Sequence, residues 1–205
     1  MGTTEIKDNA SLIQSIEAGG KFKYLFFWGH TQPKDGSIDK SCLSQWYPAP
    51  FKIDNVLYHT AEHYMMAEKA RLFEDETALT EIIKTKSPAN AKKLGRSVQR
   101  FDPKKWNDHC TQIVVDGNFA KFSQNEPLKQ FLVTTGDRVL VEASPRDKIW
   151  GIGMGQDDPL VHDPNNWKGS NLLGFALMQV RTRALPSRDR GRARRAASAP
   201  PFPRT

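Results

Sequence analysis

Apolar and polar positions fall into short blocks along the chain, and helical spacing dominates. KYLFFW (23–28) is apolar and aromatic and predicts a buried strand. The stretch 29–40 is rich in Gly, Pro, Asp and Ser and predicts a loop. SQWYPAPFKID (44–54) holds two prolines, so it is extended and irregular, ending in a short strand before a turn at Asp54-Asn55. A long helix is expected over 58–73 and a second over 76–85. A third begins with Ser87 as N-cap and Pro88 at its first position; Asp102-Pro103 repeats that signal for a fourth, running through Trp106 to 122. A short helix over 127–133, a strand over 138–144, a strand from 148 into a Gly-rich turn at 155, and a final amphipathic helix over 169–181 complete the series. The first 20 or so residues are polar, frayed or a short helix. There is no internal repeat and no βαβ alternation, so the fold class is α+β, a compact helix-dominated single domain with a few short strands. The expected boundaries are a polar segment 1–21, a domain 22–183 and an Arg/Pro-rich tail 184–205.

The helix over 58–73 carries an anomaly. On a helical wheel Tyr58, Glu62, Met65, Met66, Lys69, Leu72 and Phe73 share one face, while Thr60, His63, Ala67, Ala70 and Arg71 fall on the other side. Glu62 and Lys69 lie near the centre of the apolar face. Burying charge is costly unless it is paired or its pKa moves. The two are seven residues apart, about 10 Å along the axis, too far for an ideal ion pair within the helix but able to flank one bound molecule. Polar groups among Tyr58 and two methionines fit a pocket lining; the plainer alternative is a Lys69 that reaches solvent past Leu72 and a Glu62 that caps local structure.

Most of the net positive charge lies in the tail. Of the net +7, the tail 184–205 supplies +5 through six Arg and one Asp, which leaves +2 for the rest. The tail is low in complexity and cannot bury a core, so it is expected to be solvated, with nucleic acid or an acidic partner as the alternative. Two cysteines, Cys42 and Cys110, cannot form a disulfide framework, and their spacing suits no zinc site, so a reduced, cytoplasmic protein is expected, with no metal. No apolar run is long enough to span a bilayer, and no membrane partner is expected.

A second candidate region is SPRDKIWGIGMG (144–155), where Asp147 precedes Trp150 by three and glycines at 151, 153 and 155 allow close backbone approach. It is no dinucleotide fingerprint, and a simple β-turn is the competing reading. Trp28, Trp46 and Trp150 sit in or beside expected loops, where an aromatic ring can stack on something flat; Trp106 sits in a helix and is equally a core residue.

Taken together, LSQWYPAPF (43–51), YHTAEHYMMAEK (58–69), SPANAKKLGR (87–96), Trp106 with Lys121-Phe122, VEASPRDKIWGIG (141–153) and GSNLLGFALMQVR (169–181) resemble the NADAR, or YbiA-like, family in order and spacing, over about residues 22–183. The resemblance implies a compact, mostly helical α+β fold and an N-glycosidase acting on ribose without a cofactor. It associates the family with two substrates: ribosylamino-pyrimidine phosphates of early riboflavin synthesis, and ADP-ribose attached to guanine, with nucleic acid as a carrier of the modified base. Glu62 and Lys69 match its helix motif, Asp147, Trp150 and Gly151 its second motif, and Asn171 and Gly174 its last helix. Lys69, Glu62 and Asp147 are therefore the expected catalytic residues. Trp28, Ser44, Trp46, Trp106, Trp150, Gly151, Asn171 and Arg96 are the expected substrate-binding residues, with Arg96 or Lys121 as candidate phosphate holders. Leu43, Met66 and Glu68 depart from residues common in the family, and the loop 29–42 looks longer than in shorter bacterial members; these bear on substrate choice.

Both substrates hang ribose on an exocyclic amine, so a neutral Lys69 could displace the base through a Schiff base, with Glu62 or Asp147 moving protons. A carboxylate that activates water directly is the rival route. Two non-hydrolytic readings compete: a module that binds ADP-ribose or a nucleotide without turnover, and a nucleic-acid-binding protein that works through the tail.

Overall fold

The computed structural model describes residues 5–184, so the Arg-rich tail beyond Ala184 lies outside the described residues. The described chain is α+β and helix-rich, with seven α-helices and four short strands, as the sequence predicts. It divides into two units, one built from 5–26 and 135–184 and one from 27–134.

In the first unit, helix α1 (Asn9–Glu17) starts on a reciprocal cap: the Asp8 carboxylate accepts from the Ser11 N–H at 2.7 Å while the Ser11 hydroxyl accepts from the Asp8 N–H at 3.1 Å. Strand β1 (Tyr24–Phe27) pairs with β4 (Val139–Glu142), and helix α7 (Leu172–Ala184) packs on β4. Leu12, Val139, Val141, Ile152, Met154 and Phe175 form the core. β1 is only partly buried, with Phe27 alone fully covered. Expected strand 148–155 does not form. Asp147 Oδ1 instead accepts the N–H groups of Ile149 (2.9 Å) and Trp150 (2.8 Å), and Gly153 adopts φ +66° and returns its N–H to the Asp147 carbonyl. A side chain that captures two successive backbone donors turns the chain before a ladder can start.

In the second unit, a single 3-10 turn (Lys40–Leu43) leads into an antiparallel hairpin of β2 (Phe51–Ile53) and β3 (Val56–Tyr58), with Phe51 opposite Tyr58. Asp54 and Asn55 both take positive φ (49° and 63°), the conformation a two-residue hairpin turn requires. Helix α2 runs Ala61–Leu72, not from 58: Tyr58 is claimed by the hairpin, and Thr60 caps the helix by accepting from His63 N–H. α3 (Glu76–Lys84), α4 (Pro88–Arg96), α5 (Pro103–Gln124) and α6 (Glu126–Thr134) follow, with Ser87 and Asp102 as caps ahead of prolines, as the sequence predicts.

α2 is the centre of this unit and packs against α3, α4 and α5. Every residue from Ala61 to Ala67 is buried, and so is Ala70. The wheel's division into an apolar and an opposite face is therefore corrected: both faces meet protein, and His63, Ala67 and Ala70 are as covered as the methionines. Small residues let α5 and α4 approach closely. A Cβ at Gly117 would strike the Tyr64 ring, and one at Gly95 would strike Met66.

Candidate functional site

Lys69 lies in the last turn of α2, half-buried. Its Nζ stands 4.1 Å from the centre of the Phe101 ring and 5.5 Å from that of Trp106. Phe101 follows Arg100, which holds positive φ (55°), and rests edge-on against Phe73 while staying 43% exposed. Burial lowers the Lys69 pKa from its ordinary value, and the Arg96 guanidinium lowers it further. The two aromatic faces favour the ammonium, yet the net direction is downward, toward the neutral amine.

Glu62 lies in the first turn of the same helix, 4% exposed, where the helix dipole favours a carboxylate. Its N–H donates to the Gln45 carbonyl at 3.0 Å, which ties the start of α2 to the loop after the 3-10 turn. That loop carries Ser44 and Trp46. The Ser44 hydroxyl accepts the Trp46 N–H at 3.2 Å. The Trp46 indole is half-buried, with the His30 ring at 5.5 Å and Lys92 Nζ at 5.8 Å. His63 is also buried in α2, Nδ1 against the Thr60 hydroxyl at 2.8 Å, and burial with nearby His59 pushes its pKa down to about 4. It is a neutral structural ring at physiological pH.

The structure brings Lys69 together with Trp106 and Arg96, and it brings Ser44 and Trp46 to the Glu62 end of α2. Trp28 stands 63% exposed on the chain just after β1. Asp147, Trp150, Gly151 and Asn171 belong to the other unit. There the Asp147 carboxylate organises its own turn. Gly151 makes its close approach to the protein itself, since a Cβ would come within 2.8 Å of the Glu142 carbonyl. Asn171 is fully buried at φ 53°; its amide donates to the Leu140 carbonyl (3.0 Å) and accepts the Glu142 N–H (3.0 Å). The geometry thus gives Asn171 a structural task on β4. Lys121 as a phosphate holder is overturned: it is wholly buried and donates to the carbonyls of Cys42 and Ser44. Among the described residues, no group of three His, Cys, Asp or Glu side chains is placed to hold a metal ion, and no helix is long and apolar enough to cross a membrane.

Residues 26–184 match the NADAR domain. The chain belongs to the NADAR domain family. Among its NADAR relatives, N-glycosidase R617 of Acanthamoeba polyphaga mimivirus is 42% identical over 164 residues, 78% of this chain and 95% of the relative. Protein irg-1 of Caenorhabditis elegans is 38% identical over 160 residues, 70% of this chain and 76% of its own. The NMR structure of Escherichia coli YbiA, itself named an N-glycosidase, superimposes with a TM-score of 0.63 at 27% identity and covers 89% of this chain and 90% of that one. The activity named for two of these relatives is that of an N-glycosidase, a hydrolase of N-glycosyl compounds.

Sequence reasoning missed Phe101, and it missed Lys92 and His30 beside Trp46. No local signal marks them. Phe101 reads as an ordinary residue before a helix cap, and its place over Lys69, just after the positive φ at Arg100, shows only in the fold.

Proposed function

We propose that this NADAR chain hydrolyses the N-glycosidic bond between ribose C1 and an exocyclic amine of a base, with Lys69 as the nucleophile. The observation that carries the reading is the placement of the Lys69 amine: half-buried, beneath two aromatic rings, with a second cation near enough to depress its pKa. A lysine so placed gives up its proton more readily than one in water, as an amine nucleophile requires.

A ribosylamine opens to an imine at C1. Neutral Lys69 Nζ adds to C1, and the bond from C1 to the base nitrogen breaks as that nitrogen takes a proton. A Schiff base between Lys69 and the sugar remains. Water adds to its carbon, and collapse releases the sugar and restores the amine. Glu62, buried on the same helix, is the proposed proton carrier. Trp46 offers a flat face for the base, and exposed Arg96 a cation for phosphate. ADP-ribosylated guanine, free or on nucleic acid, and ribosylamino-pyrimidine phosphates both carry the required bond.

Borohydride added during turnover should fix the sugar to the protein as a secondary amine, located on Lys69 by peptide mass. Turnover that proceeds without any trapped adduct rejects the Schiff-base route and leaves direct attack by water.

The Arg96 charge supplies a second check. A neutral-amine nucleophile makes kcat/KM rise with pH through the lysine's pKa, which lies below 10.5 in this fold. Arg96→Gln removes a like charge, so the rising limb moves to higher pH. An unmoved limb detaches Lys69 from the titration.

A further inference from the structure

A lysine with no solvent exposure is costly, and the reaction proposed above does not use Lys121. Its setting on α5 is specific. Nζ donates to the Cys42 carbonyl at 2.7 Å and the Ser44 carbonyl at 2.8 Å, and it faces the rings of Phe122 (5.0 Å) and Tyr47 (5.7 Å). One turn earlier on the same helix face, Asn118 Nδ2 donates to Gln45 Oε1 at 2.7 Å and to the Val114 carbonyl at 2.8 Å. The Gln45 carbonyl in turn receives the Glu62 N–H, and Gln45 Nε2 lies 3.8 Å from Met65 Sδ. The run 42–45 is thus held at three residues from α5 and at a fourth point from the first turn of α2.

We infer that Lys121 and Asn118 are positioning residues: Lys121 fixes the backbone at 42 and 44 and Asn118 the Gln45 side chain, and together they set where Trp46 stands relative to the Glu62 end of α2. The chemistry of the clamp matches its job. A neutral primary amine has two N–H donors, and two carbonyls receive them. Burial, countered in part by Cys42, brings the Lys121 pKa down to about 7, so the two-donor form is populated at physiological pH. A bare apolar contact could fill the same space but would leave two buried carbonyls unpaired and the loop free to slide. The consequence for turnover rests on the proposed glycosidase reading; the consequence for the free protein does not.

The test is fluorine NMR of the fluorotryptophan-labelled full chain, with the Trp46 resonance assigned by Trp46→Phe, read beside steady-state kinetics. In Lys121→Met the Trp46 resonance should shift or broaden while those of Trp106, Trp150 and Trp167 stay in place, and KM should rise about tenfold with kcat within about threefold. A merely structural role would move all the tryptophans or none. A folded Lys121→Met protein with the wild-type Trp46 resonance overturns the inference, as does one whose Trp46 moves while both kinetic constants hold. If Lys121→Met does not fold, Asn118→Ala removes the other anchor and is read by the same criteria. Should the wild-type protein turn over no ribosyl glycoside, the glycosidase reading fails, and the Trp46 resonance alone decides the positioning.

Discussion

Lys69→Met should abolish turnover while leaving the protein folded, with kcat/KM lower by roughly three orders of magnitude or more. Methionine keeps the unbranched stem and much of the volume, so it still fills the space beneath Phe101 and Trp106. What it loses is the amine. If Lys69 is the nucleophile, no neighbour replaces it: Arg96 offers a guanidinium rather than an amine, Lys92 stands over Trp46, and Lys105 donates to the Leu72 carbonyl. The measurement is single-turnover release of base from a ribosylamine substrate, with far-ultraviolet circular dichroism as the folding control. Loss of less than about tenfold would reduce Lys69 to a binding contact and transfer the chemistry to a carboxylate and water.

The second large effect concerns stability. Gly174→Ala should cost about 3 kcal/mol or more, seen as a lower urea midpoint at unchanged slope. The α7 backbone at Gly174 presses directly on β4: an added Cβ would overlap the Leu140 carbonyl oxygen, and it would lie 2.6 Å from both amide atoms of Asn171. Neither obstacle is a flexible side-chain tip. Leu140 is fully buried within the strand, and Asn171 is held at both ends by the same strand. Gly95→Ala meets only the Met66 side chain, which can move, so its cost is expected to be smaller. A Gly174→Ala protein as stable as the wild type would mean that α7 can lift from β4 without loss.

The parts of this fold that were legible in the sequence are those in which a local rule decides the outcome. Ser87-Pro88 and Asp102-Pro103 start helices because cap and proline act within one turn. The strand at 139–142 followed from its β-branched run. The rest was decided by distant partners. Tyr58 joins a hairpin because Phe51 stands opposite it, and the 148–155 segment turns because Asp147 takes two backbone donors that the apolar pattern had assigned to a strand. The same contrast holds at the candidate site. Lys69 and Glu62 stood out because charge at the centre of an apolar face is anomalous in any environment. Phe101 and Lys92 did not, because nothing about them is unusual until the chain has folded and set them against Lys69 and Trp46. Lys121 is the reverse case: the sequence offers it as a candidate phosphate holder, and burial commits it to two carbonyls.

Asn171 has one further consequence for the small sheet of β1 and β4. Its side-chain amide donates to one backbone group of β4 and accepts from another two residues on, the spacing with which a neighbouring strand would pair. A two-stranded sheet ordinarily leaves open edges that can template the addition of another chain. Here one side chain, fixed by its left-handed backbone and by the helix that begins just after it, occupies those two positions on β4. The residue that precedes α7 thereby also keeps these two backbone groups of β4 from pairing with another chain.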